Sequence, residues 1–309
     1  MTAFLRHVHL HLIGACIAVL STLAIATPPM ERVVVEPDIE LAYQVQGTGE
    51  PVVLIHAGLF ADWFQPLIDE PLLRQRYRVV SFQRMGYGQS SHTTGDASVT
   101  RQAAQVAALM RHLGIERAHL VGHSSGGNIA LQLALDAPQR VQSLALLEPA
   151  LPVSEGADRL LSTRASAIAP ILASYRAGDK FAAIDGFMRM VAGPAYRAPL
   201  EQALPGVVER ALADVDTFFQ QELPALAQWR FTREEGARIQ QPALAVIGAL
   251  SKDVSPIWPV RQQQVLAWLP HAEPFELAGT AHLLHVQEPR AMAQALTAFF
   301  WRHSMAAAR

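Results

Sequence analysis

The stretch LVGHSSGGNIALQLA, residues 120–134, decides the reading of this chain. A run of bulky, strand-forming residues ends in Gly-His-Ser-Ser-Gly-Gly, and a helix-forming run follows at once. Gly122-His123-Ser124-Ser125-Gly126 is a G-x-S-x-G pattern held between a strand and a helix, the context that gives this short pattern its meaning. A chain that reverses from strand to helix within a couple of residues forces its apex residue into an unfavourable backbone region. Glycines two positions to either side remove the Cβ atoms that would collide. The turn therefore lifts the Ser124 hydroxyl above the sheet edge, at a helix N-terminus where unpaired N–H groups favour developing negative charge.

Outward from this turn, the pattern repeats. RVVVE, IELAYQV and PVVLI, between residues 32 and 55, are β-rich runs split by Pro-Asp and Gly-Thr-Gly turn signals. YRVVSF (77–82), AHLVGH (118–123) and VQSLALLE (141–148) are further strands. Between them, Ser98 caps a helix whose stripe is Ala103, Val106, Ala107, Met110 and Leu113. Continuous apolar strands alternating with helices predict a mostly parallel sheet covered on both faces. At Pro149 the alternation stops, and residues 151–238 read as helices and loops without a strand. PALAVIG (242–248) resumes the sheet, a helix follows near 260–269, PFEL is a short last strand, and a helix closes the chain. The expected organisation is a core of residues 30–150 and 239–309 with a helical cap, 151–238, inserted before the penultimate strand. The cap would lie over the carboxyl edge of the sheet, where open α/β sheets bind ligands.

Of the 309 residues, 50% are hydrophobic and 17% charged, which supports a large packed core and argues against disorder. The formal net charge of −2 advertises no basic face for nucleic acid. Residues 1–29 read as a signal peptide or N-terminal extension. Arg6 and several histidines precede an apolar run from Leu12 to Ala26, which is short for a membrane span, and AIA (24–26) resembles a cleavage site. Export to the periplasm or exterior is the expectation; translation starting at Met30 would instead leave a cytoplasmic protein. The lone Cys16, in LIGAC, loosely resembles a lipoprotein signal and has no internal disulfide partner.

The chain resembles the α/β-hydrolase fold superfamily from about residue 31 to 303. LIHAGLFADWF (54–64) is similar to that family's His-Gly loop, with Ala57 where Gly is usual, and QRMGYGQS (83–90) to its Asp-Arg-x-Gly-x-Gly-x-Ser turn. There Gln83 replaces the Asp and removes the customary charge partner of Arg84. By position, the resemblance implies an oxyanion hole from the backbone N–H groups of Gly58 and Ser125, with Leu59 the alternative if the loop is shifted by one. His56 is expected to be structural. In LAGTAHLLH (277–285), His282 occupies the place of the family's catalytic imidazole, and His285 is expected to be a neighbour facing the lid. Most relatives carry the acid three residues past the Gly that ends PALAVIG, where this chain has Ser251, and the nearest carboxylate there is Asp253. A second arrangement in the superfamily puts the acid at the end of the preceding strand, where Glu148 stands. Glu148 is the favoured third member, with Asp253 the alternative.

A hydroxyl needs a base to act as a nucleophile, so the expectation is a serine hydrolase acting on small or medium, largely uncharged carboxylic esters through an acyl-enzyme on Ser124, His282 and an acid. The same set supports hydrolysis of lactones, amides or carbon–carbon bonds, or cofactor-free perhydrolysis. A reading of another class is a ligand-binding protein that keeps the fold without turnover. No metal-binding spacing and no dinucleotide or phosphate glycine loop is present, so no cofactor or metal is expected. The partner is a small molecule, with no nucleic acid and no stable membrane span.

Overall fold

A computed structural model describes residues 29–153 and 158–305. The apolar leader, Cys16 and the AIA site lie outside the described residues. Eight strands form one sheet: β1 (Glu31–Glu36), β2 (Ile39–Gln46), β3 (Glu50–Ile55), β4 (Tyr77–Phe82), β5 (Ala118–His123), β6 (Val141–Leu147), β7 (Ala243–Gly248) and β8 (Ala272–Leu277). Their spatial order is β1-β2-β4-β3-β5-β6-β7-β8. β2 pairs antiparallel with β1 and β4, and every other pairing is parallel.

The central strands are apolar along most of their length because both faces are covered. Along β3, Val53 and Ile55 pack into one cluster with the helices Val99–His112 and Ser125–Asp136. Val52 and Leu54 enter the opposite cluster, with Leu67 and with Met292, Leu296 and Phe300 of the helix Pro289–Arg302. Ser98 caps its helix as its position suggests, its hydroxyl accepting from Arg101 N–H at 3.3 Å.

Between β6 and β7 the described residues form helices and no strand, chiefly Asp158–Arg176, Lys180–Ala192 and Val207–Asp216. A π-helical stretch, Thr217–Glu222, continues the last of these. These helices share an apolar cluster with Leu59, Trp63, Trp258 and Leu283, which come from loops and a helix at the carboxyl ends of the strands.

A buried ion pair ties the inserted helices to the core. Arg84, just past β4, donates from Nη2 to both carboxylate oxygens of Glu222 at 2.9 and 3.0 Å, and from Nη1 to Gln102 at 2.6 Å. The Tyr87 hydroxyl also donates to Glu222. Glutamine at position 83 therefore does not leave Arg84 unpaired; its counter-charge comes from a helix 138 residues away in the chain. Breaking a buried pair by removing one partner strands the other charge. Glu222→Ala should lower stability by about 3–5 kcal/mol, read as a reduced urea midpoint.

Candidate active site

Ser124 sits at φ 51°, ψ −117°, a strained conformation for a residue with a side chain. The turn that holds it leaves no room for Cβ atoms. A Cβ on Gly122 would lie 2.5 Å from the Gly126 carbonyl oxygen, and one on Gly126 would lie 2.0 Å from that of Ile55. The first glycine thus clears the start of the helix, as expected. The second clears the neighbouring strand β3 rather than its partner glycine. Ser124 N–H donates to Leu147 O on β6 at 3.0 Å, which ties the apex to the strand that leads into Glu148.

Glu148 follows β6 in a left-handed conformation, φ 44°. Its Oε2 accepts from His282 Nδ1 at 2.7 Å, and its Oε1 accepts from Gly248 N–H at 2.9 Å and from the Ser251 hydroxyl. Ser251, at the position where the resemblance implied a carboxylate, thus donates to Glu148. Asp253 is solvent-exposed on the short helix Ser251–Val254 and is not brought to the imidazole. With Nδ1 committed to Glu148, Nε2 of His282 is the nitrogen left for chemistry. Ser124 and His282 line one cavity, with no direct hydrogen bond between them among the described residues; such contacts commonly tighten only with substrate bound. The indole of Trp258 stacks on the His282 ring, centroids 4.1 Å apart and planes at 17°.

Of the amides expected to hold an oxyanion, Ser125 N–H opens the helix Ser125–Asp136 and has no backbone acceptor among the described residues. Gly58 N–H donates to the Ser125 hydroxyl at 3.1 Å, so these two residues meet at the cavity wall. The peptide after Gly58 faces elsewhere. Its carbonyl accepts from Trp63 Nε1 at 2.8 Å and Phe60 N–H at 3.0 Å, and the Leu59 N–H is directed at the Tyr87 hydroxyl. Leu59, the shifted alternative, lines the cavity too, but its N–H is engaged by Tyr87. His56 is neutral and fixed, its Nδ1 donating to Ala57 O at 2.7 Å and its Nε2 accepting from Arg84 N–H at 2.9 Å.

Burial sets the electrostatics. It pushes His282 down to about 3, with the Arg261 and Arg164 guanidinium groups adding to the effect, so the imidazole rests neutral. Burial also raises Glu148, to about 7, against the opposing pull of its Ser251 and Gly248 donors and of Arg261. His285 does not face the inserted helices. It stacks on Phe64 at 4.4 Å and lies against Trp63 and His123, a packing position beneath the cavity. Sequence reasoning missed Trp258, Arg164 and Arg261 as cavity residues. Nothing local marks them: a single arginine on a helix reads as a solvated side chain, and only the approach of two helices turns it inward. Among the described residues, no group of three or more His, Cys, Asp or Glu is arranged to hold a metal. No described helix is long and apolar enough to cross a membrane.

Residues 50–289 match the alpha/beta hydrolase fold family, and the chain belongs to it. It is 29% identical over 260 residues to a dihydrolipoyllysine-residue acetyltransferase component of the acetoin cleaving system from Pseudomonas putida, covering 82% of this chain and 64% of that protein. The protein of the same name from Cupriavidus necator is 42% identical over 111 residues, 36% of this chain and 30% of its own length. This chain thus spans less than two thirds of either relative. Among solved structures, a thermophilic esterase from Thermogutta terrifontis superposes with a TM-score of 0.73 at 22% identity, covering 90% of this chain and all of that one.

Proposed function

We propose that the protein is a serine hydrolase that cleaves carboxylic esters through an acyl-enzyme on Ser124. The observation that carries this reading is the Glu148–His282 pair at 2.7 Å, set in the same cavity as a strained serine at a helix N-terminus. His282 Nε2 takes the Ser124 proton as Oγ attacks the ester carbonyl, and Glu148 stabilises the imidazolium that forms. The oxyanion is met by Ser125 N–H and by Gly58 N–H, which then shares its proton between the oxyanion and the Ser125 hydroxyl. His282 protonates the departing alcohol, and water, activated by the same imidazole, releases the acid. A serine nucleophile, rather than a carboxylate, separates this chemistry from dehalogenation and epoxide opening in the same fold.

A fluorophosphonate probe tests the assignment without knowledge of the natural substrate. One equivalent should add to Ser124, located by peptide mass spectrometry, with parallel loss of p-nitrophenyl ester hydrolysis. Ser124→Ala should take up none. Labelling at another residue, or none alongside intact ester hydrolysis, places the chemistry elsewhere. Absence of both labelling and turnover, with tight ligand binding retained, favours the binding-protein reading.

A further inference from the structure

The wall of this cavity carries two positive charges that the proposed acyl transfer does not use. Arg261, on the helix Ile257–Trp268, is 5% exposed. Its Nε donates to Leu151 O at 2.8 Å, and its guanidinium lies over the Trp258 ring at 5.3 Å. Its Nη1 is buried and has no hydrogen-bond acceptor among the described residues. Arg164, on the helix Asp158–Arg176, lines the same cavity as Ser124, His282 and Arg261. Neither guanidinium has a carboxylate partner among the described residues. Glu148, the acid near Arg261, is committed to His282, Ser251 and Gly248.

An unpaired buried charge is costly, and arginine does not escape the cost by shedding its proton. The remaining lining is largely apolar, including Phe187, Met188 and Phe218. Such surroundings strengthen any charge pairing made inside them. A guanidinium with a free edge presents a planar fork that matches a carboxylate in two-point contact. Two arginines converging beside a nucleophile supply the charge to bind one such group and hold the rest of its molecule in register.

We propose that the substrate carries a carboxylate, bound by Arg261 and Arg164, at the end of an apolar spacer whose ester carbonyl lies over Ser124. This deepens the esterase reading and rests on it. It also revises the expectation of an uncharged substrate, because the tertiary fold turns both arginines into the cavity.

The test compares mono-p-nitrophenyl glutarate with p-nitrophenyl valerate, a neutral ester of similar length. The hemiester should be hydrolysed with kcat/KM at least about 30-fold higher, since pairing a buried charge is worth about 2 kcal/mol or more. Free glutarate should inhibit valerate hydrolysis competitively, and valerate itself should inhibit far less than glutarate at equal concentration. In Arg261→Met and Arg164→Met the ratio of the two efficiencies should collapse to within a few-fold of unity, and Arg261→Lys should restore part of it. The glutarate inhibition needs only the wild-type protein, so it stands even if a variant folds poorly. Equal efficiency on the two esters without glutarate inhibition, or a preference that survives both methionine substitutions, overturns the carboxylate site while leaving the serine hydrolase intact. No turnover of either ester and no phosphonate labelling of Ser124 removes the hydrolase reading itself.

Discussion

Glu148→Gln is expected to reduce kcat for ester hydrolysis by about 10³–10⁴-fold, while Asp253→Asn stays within about twofold of wild type. The carboxylate does two things at once. It accepts the Nδ1 proton at 2.7 Å, which leaves Nε2 unprotonated and facing the cavity, and it offsets the positive charge that His282 gains as the serine attacks. A glutamine amide keeps the volume but carries no charge, and its NH₂ can present a donor where an acceptor is needed. It then favours the wrong imidazole tautomer. Asp253 is exposed and outside this network. The comparison is made on kcat at equal folded fraction, checked by circular dichroism, because Glu148 also satisfies Gly248 N–H and the Ser251 hydroxyl. Loss of turnover in the Asp253 variant alone would reverse the assignment.

The second large effect concerns acid stability. His56, His119, His123 and His285 are all buried, and burial holds each below the ordinary imidazole value of 6.5, His119 at about 4. In the unfolded chain these groups regain their ordinary affinity for protons. Below pH 6.5 the unfolded chain therefore binds protons that the fold refuses, and stability falls as pH falls. His282 adds to this trend. Glu148 opposes it, because its raised value lets the folded state take up a proton between about pH 7 and 4.5. His282 and Glu148 act in opposite directions, which leaves the four buried histidines to set the sign of the net change. Because an ordinary domain is stable by only about 5–15 kcal/mol, several such groups acting together should bring the protein close to unfolding at pH 5. Urea unfolding at about pH 7.5 and pH 5 should show the midpoint collapsing; a flat profile would mean that the imidazoles are solvated and protonated in the fold. The carboxylates held below their ordinary range, Glu50 and Asp216, add to the loss only under more acidic conditions.

Much of the architecture is written in local pattern. Apolar runs such as PVVLI and AHLVGH are buried on both faces because successive residues of one strand enter opposite clusters. The turn at Ser124 is legible because its glycines and its hydroxyl lie within five residues of one another. His282 is legible from its place after the last strand. The rest depends on which elements meet, and that is a property of strand order. Glu148 reaches His282 across 134 residues because β6 and β7 are neighbours and β7 adjoins β8. That adjacency sets Glu148 beside His282 and leaves Asp253 exposed on its short helix.

By itself, then, the sequence determined the doubly covered parallel sheet, the strained serine turn and the helical interruption after β6. These follow from side-chain periodicity and from steric limits acting over a few bonds. Tertiary structure alone decided the carboxylate beside the imidazole, the Glu222 partner of Arg84, the engagement of the Leu59 N–H by Tyr87 and the two arginines lining the cavity. Those outcomes depend on contacts between segments far apart in the chain, where burial, not local propensity, sets the cost of every charge and so selects its partner.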